Sequence, residues 1–399
     1  MLRFILPIDK DKKDLCSLAL DVIGATSRKY PEREQLTMAL TELYNASIRT
    51  TVSNFGDHCV FGVCLECLCD KYTLNGETVS DKAVDILIGC LFDPYIVNGG
   101  FSPKYFELSK NEMLDDYAAI INNKRRYAYV MSLKQIFENE LVGITPFDRL
   151  DIVKNADPVS AYEAYKELIR TAYIDMSITG GEVPESVKNK LIDAIMSVER
   201  DPYEPKSFIS PSPVKEEVRY SETSAVTKQC QLIMAYKNKE SNEYSLKLFI
   251  CMLGSTPTSK LFLNVREKLS LCYYCDASLV TMKNTVIITS GLDKDKLEQA
   301  KAAIADQIKA MQDGDFTDEE LANAKKHLVD VYLSNYDSKF DMFSWYFYQR
   351  LRGSTDSPEE KSQKIMSLTR EDIIKEARGY KLDTVFVLQP ENGGDKDEA

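Results

Sequence analysis

Histidine is nearly missing from this chain: 399 residues contain two, His58 and His327. No pair at i,i+4 spacing can present two imidazoles to one zinc ion, so the common helical zinc motif is excluded. Nucleophilic catalysis by Ser or Cys also loses its customary base, because neither His has a recognisable partner motif. His58 reads as a turn residue and His327 as a solvated helix residue. Positive charge is short as well: 50 Lys and Arg against 62 Asp and Glu give a net charge of −12. That sign is wrong for neutralising nucleic-acid phosphates. No window approaches the roughly 20 apolar residues that span a bilayer. The apolar start Met1–Ile8 meets Asp9, Lys10 and Asp11 before a signal-peptide core could be completed, and reads as a first strand.

Cysteine is too dilute for a disulfide scaffold. The ten present sit largely in apolar runs and read as reduced thiols in a cytoplasmic protein. A mixed metal site at Cys64, Cys67 and Cys69 is disfavoured, since on a strand Cys67 and Cys69 share one face and Cys64 takes the other. Cys272-Tyr273-Tyr274-Cys275 is a CxxC, but it opens a predicted strand instead of the helix N-terminus that redox chemistry uses. Gly254–Lys260 resembles a phosphate loop superficially, with Ser259 where the last Gly should stand.

The chain has 44% hydrophobic residues and enough length for at least two packed cores. Prolines 202, 205, 211 and 213 mark an extended linker near mid-chain. Residues 1–200 and 216–390 then form two domains, 201–215 the linker, and 391–399 a disordered acidic tail. The halves repeat. Phe101-Ser102-Pro103 and Phe316-Thr317-Asp318 open similar helices, with Ser102 and Thr317 suited to capping. Before them, 46–53 and 59–66 read as a hairpin and 81–92 as a helix. In the second half 272–280 and 285–290 read as a hairpin and 295–311 as a helix. Helical periodicity also covers 13–27, 32–45, 124–140, 158–173 and 185–198. Two homologous α+β domains follow, each an antiparallel-rich sheet with packed helices, together a half-clamshell.

One segment carries function. Ser259 can cap a helix through Lys268, with Leu261, Phe262, Val265 and Leu269 as the buried stripe and Arg266 at its edge. Tyr273 follows on a strand, so a guanidinium and a phenol could face one cleft and hold an extended peptide. Spacing alone favours the plainer reading, an Arg paired to an acidic surface and a core Tyr.

The run Gly254–Ala277, with Ser259-Lys260-Leu261-Phe262, Asn264-Val265-Arg266-Glu267-Lys268 and Tyr273-Tyr274, resembles the second-half motif of the M16 (pitrilysin, insulinase) zinc peptidases. Leu43-Tyr44-Asn45-Ala46-Ser47, Leu91-Phe92-Asp93-Pro94 and Glu112–Asp116 match lesser family segments, so the likeness spans nearly the whole chain. Active members carry His-x-x-Glu-His before the Leu-Tyr-Gly-Ala segment. The matching window here, Cys16-Ser17-Leu18-Ala19-Leu20-Asp21, has neither residue type, and the third-ligand position falls at Asp115 or Asp116. The resemblance therefore implies a subunit without catalytic residues, metal or cofactor of its own. Its partner would be a zinc-bearing M16 paralogue in a heterodimer, or a second copy in a homodimer. Arg266 and Tyr273 would position the peptide substrate. More narrowly, Tyr30-Pro31 and Leu43–Ser47 are similar to the bacterial inactive M16 subunit associated with aminopentanol modification of elongation factor P. Relative to the family the chain starts late, as if an N-terminal strand were trimmed. A scaffold without a proteolytic role, and a peptidase with an unusual metal site, are the competing readings.

Overall fold

The computed structural model describes residues 1–391. The expected acidic tail lies, from residue 392 on, outside the described residues. Among them no helix is long and apolar enough to cross a membrane. The chain divides into two compact units, residues 1–119 with 146–206, and residues 120–145 with 207 onward. The second unit thus claims a piece of the first half, which the proline pattern did not indicate.

In the first unit the order is β1 (Leu2–Pro7), α1 (Lys13–Ile23), α2 (Arg33–Glu42), β2 (Ser47–Phe55), β3 (His58–Glu66), α3 (Val79–Phe92), the short pair β4 (Ile96–Val97) and β5 (Gly100–Phe101), and α4 (Pro103–Asn122). The α4 helix runs into the second unit, which also holds α5 (Lys124–Ile136). Back in the first unit come α6 (Pro146–Asn155), α7 (Pro158–Thr171), β6 (Tyr173–Met176) and α8 (Glu185–Met196). Its sheet runs β2-β3-β1-β6, every pair antiparallel. The expected hairpin is there, turning at Gly56 with φ of 60°, a left-handed conformation glycine adopts without cost. His58 is not a turn residue, however. It opens β3, is buried, and its Nε2 lies 2.9 Å from the Tyr203 hydroxyl.

The second unit repeats this plan. It holds β7 (Arg219–Ala225), β8 (Cys230–Lys237), α9 (Glu243–Gly254), a π-helix (Leu261–Lys268), β9 (Tyr274–Val280), β10 (Thr285–Leu292), α10 (Leu297–Asp313), α11 (Asp318–Leu333), α12 (Lys339–Leu351), α13 (Pro358–Ser367), α14 (Arg370–Gly379) and β11 (Lys381–Pro390). Its sheet order, β7-β11-β8-β10-β9, contains β9-β10-β8-β11, the counterpart of β2-β3-β1-β6. Only β7 is added, parallel to β11.

Alternation along β8 explains why its whole length is apolar. Leu232, Met234 and Tyr236 enter the core with α9, α10 and α11, while Ile233 and Ala235 meet Ala128, Ile136 and Phe137 of the α5 segment on the opposite face. The sheet is covered on both sides, and α5 is the second cover. Buried charges close that region. Lys237 and Lys283, both about 1% exposed, surround Glu140, and Lys237 together with Lys215 also faces the fully buried Asp383. Ser212 in the proline segment donates to Glu140 at 2.7 Å, which ties the linker to this unit.

Candidate functional site: an arginine and a tyrosine at the start of an edge strand

Residues 261–268 wind as a π-helix, not the α-helix the periodicity suggests. The amide of Leu269 reaches back to the Asn264 carbonyl, five residues earlier. Ser259 does not cap through its side chain, because its hydroxyl donates to the Thr256 carbonyl at 2.6 Å. The wider winding also shifts the apolar stripe. Leu261 and Val265 are fully buried, Phe262 is half-buried, and Leu269 is 51% exposed. Such windings are rare and concentrate at functional sites, since they hold a side chain where a regular helix would not.

Arg266 is held by this element. Its guanidinium lies 4.7 Å from the Phe262 ring centre and its Nε is 3.6 Å from Glu267, yet about two-fifths of the side chain meets solvent. Tyr273 is 52% exposed, and its hydroxyl donates to Asp293 at 2.9 Å while its amide bonds the Gly291 carbonyl. Arg266 and Tyr273 share no hydrogen bond among the described residues; Arg266 lies on the π-helix that leads to β9, and Tyr273 directly precedes that strand. That strand is the sheet's edge, paired only with β10. The next residue, Tyr274, lies across Gly291, where an added Cβ would sit 2.4 Å from its ring. Arg125 covers the other side of that ring at 3.9 Å and pairs with Asp276 at 2.7 Å.

The CxxC has a property its spacing did not reveal. The Cys272 thiol is pulled below its ordinary value by a hydrogen bond from Cys275, helped by the Ser290 hydroxyl and the charge of Arg266, whereas Cys275 is pushed up. The charge of Arg266, brought by the π-helix, adds to a pull that comes first from Cys275 within the motif itself.

The window on α1 is built differently. Leu18, Ala19 and Leu20 are fully buried, Ser17 bonds the Lys13 carbonyl, and Cys16 points its Sγ at the Ala164 carbonyl, 3.6 Å away, with burial pushing its thiol up. Asp21 accepts from Thr50 at 3.2 Å. Its carboxyl is pushed up to about 6 by loss of hydration, with the carboxylates of Glu112 and Asp116 on α4 adding to the effect. Asp116, of the two candidates on α4, is the one whose charge bears on Asp21. Cys64 is buried on β3, whereas Cys67 and Cys69 lie beyond its end, so the strand-face expectation for them fails. His327 is exposed on α11, as expected. No group of three or more His, Cys, Asp or Glu converges as a ligand set among the described residues.

Residues 158–328 match the family model of the peptidase M16 inactive domain. Over 398 residues the chain is 25% identical to the probable inactive metalloprotease YmfF of Bacillus subtilis, covering 98% of this chain and 92% of that protein. The chain is thus similar to inactive M16 peptidases, by a family model over residues 158–328 and by a relative along nearly its whole length. The crystal structure of a conserved Enterococcus faecalis protein superposes with a TM-score of 0.90 at 24% identity, over 99% of this chain and 93% of the other. The periplasmic protease PqqL of Escherichia coli superposes with a TM-score of 0.66 at 12% identity, over 98% of this chain but only 43% of PqqL. Against the M16 pattern, the zinc-bearing face of α1 is hydrophobic core here. Zinc does not fit this window: a buried protonated thiol, aliphatic side chains and a lone aspartate offer no imidazole and no converging donors.

Proposed function

We propose that this chain is a non-catalytic M16 subunit that grips an extended peptide with Arg266 and Tyr273 and presents it to a zinc-bearing M16 partner. The observation supporting the proposal is that both side chains are accessible, Arg266 on the π-helix that leads to β9 and Tyr273 directly before β9, an edge strand with one side open. The free edge of β9 offers backbone N–H and C=O groups to which a peptide can add as a further strand. The Arg fork can then bond peptide carbonyls, and the Tyr hydroxyl can exchange Asp293 for the bound backbone. PqqL, whose single chain is more than twice the matched length, supports a partner of similar size. Cysteine at ten residues in 399, too dilute for a disulfide scaffold, supports work in a reducing cytoplasm. The likeness to the subunit associated with aminopentanol modification of elongation factor P is carried by Tyr30-Pro31 and Leu43–Ser47 alone, and peptide positioning stands without it.

A scaffold role is the second reading. It is favoured by the contacts that already occupy the two side chains, Phe262 and Glu267 for Arg266 and Asp293 for Tyr273. Mixing the full chain with a zinc-bearing paralogue from the same organism and following cleavage of a quenched fluorescent peptide separates them. Positioning requires activity that appears only with both chains and drops with Arg266→Ala and Tyr273→Phe. A partner fully active alone, or variants indistinguishable from the parent, leaves the scaffold.

A further inference from the structure

The two units contain the same buried device at matching places, and its charges differ. In the first unit Asp14, in the first turn of α1, accepts from the Nε of Arg149 at 2.9 Å and from the hydroxyl of Tyr117 on α4. Arg149 and Asp14 are each about 4% exposed, and the neighbouring Lys13 has its amine taken by Asn54 at 2.6 Å. In the second unit Glu243, in the first turn of α9, takes the place of Asp14, and Arg352 after α12 that of Arg149. Tyr332 on α11 stands for Tyr117, since each lies fifteen residues after the residue that precedes its helix, Thr317 and Ser102.

Here two cations are added. Lys361 of α13, 2% exposed, donates to the same Glu243 oxygen at 2.5 Å and lies over the rings of Tyr244 and Trp345. Counting from Pro158 of α7 and Pro358 of α13, its counterpart in the first unit is Ala161. Lys247, one turn along α9 from Glu243, matches Leu18. It is half-buried and makes no hydrogen bond or ion pair among the described residues, and burial with the neighbouring Arg352 lowers its amine to about 8. The Nε of Arg352 is buried and also lacks a partner. Asp356 lies nearby, but it is taken by Lys364 at 2.6 Å and by the Tyr244 hydroxyl. Three cations therefore share one carboxylate at the N-terminal end of α9, which itself favours negative charge.

We infer that Lys247, Arg352 and Lys361 form a site for a small dianionic oxyanion, a phosphate or phosphate monoester. A buried excess of positive charge with unsatisfied donors is costly unless a counter-charge enters, and two negative charges would offset the excess of three cations over the one carboxylate. The half-exposed Lys247 marks the side from which the anion arrives.

The full chain is titrated with inorganic phosphate and with phenyl phosphate by calorimetry, at ionic strength matched with chloride, and its melting temperature is followed. Phosphate should bind and raise the melting temperature. Lys247→Leu, which installs the residue of the first unit, should weaken binding by about tenfold or more. Lys361→Ala, the other first-unit residue, should do the same and serves if the first variant folds poorly. Binding of the ester alongside phosphate identifies a phosphoryl site on a larger molecule, and binding of phosphate alone identifies a free-ion site. No saturable binding of either compound at millimolar concentration, or unchanged affinity in both variants, overturns the inference.

Discussion

Arg125 lies 3.9 Å above the ring of Tyr274 and reaches past it to Asp276. One residue of α5 thus braces the strand that begins beside Arg266 and Tyr273. Arg125→Ala removes an exposed cation–π contact and a surface ion pair together, which should cost about 1–2 kcal/mol in urea unfolding. If Tyr273 positions a peptide, the same variant should weaken peptide binding more than its stability loss explains. Unchanged stability would show that the brace contributes nothing.

The Asp14–Arg149 pair is the opposite case, because both side chains are buried. Arg149→Leu leaves a carboxylate in an apolar core and should cost about 3–5 kcal/mol. Replacing both, Asp14→Leu with Arg149→Leu, should recover most of that loss. Denaturant midpoints of the two variants measure it, and a double variant worse than the single one contradicts this account.

Asp21 sets a pH dependence. Its folded carboxyl titrates near 6, above the ordinary value of 3.8, mainly through loss of hydration, with Glu112 and Asp116 adding. The folded state therefore holds more protons than the unfolded state between about 4 and 6, and this group's contribution to stability falls as pH rises through that window. Asp21→Asn should flatten that part of the stability curve and stabilise the protein at pH 7, by less than about 1 kcal/mol given how much solvent the residue meets. A variant with the parental slope between pH 4 and 6 would remove Asp21 as the cause.

Asn45 stands where the family motif has glycine, and its φ is 59° beside a Tyr44 φ of 58°. Asparagine tolerates the left-handed region and β-branched residues do not. Asn45→Gly should be close to neutral, whereas Asn45→Val should cost about 1–3 kcal/mol in thermal or chemical unfolding. Equal stability of the two would mean that the loop relaxes.

Much of the fold was legible because amphipathic periods of 3.6 and 2 residues report which face is buried. The hairpins β2/β3 and β9/β10 and helices such as α3 and α10 lie close to where those periods put them. The same periods cannot say against what a face is buried. The α5 segment showed an apolar side, but only the fold assigns Ala128 and Phe137 to the sheet of the second unit. Nor do they separate i→i−4 from i→i−5 winding, so the π-helix, and with it the exposure of Leu269, stayed hidden. Arg266 and Tyr273 could be nominated from the sequence because they sit within one short motif. Glu243, Lys247, Arg352 and Lys361 were not, since the first two lie on α9, roughly a hundred residues in sequence from Arg352 and Lys361, and nothing local marks them as neighbours.

The assignment of residues 120–145 to the second unit bears on how this protein can be divided. The proline stretch looks like a seam, yet a gene fragment ending at Lys206 would export Ile136 and Phe137 without the strands that cover them. The complementary fragment would display Ile233, Ile287 and Phe386 as an open oily surface. The halves repeat one plan, but they are not separable goods: each is made soluble by a stretch of polypeptide translated on the other side of the seam.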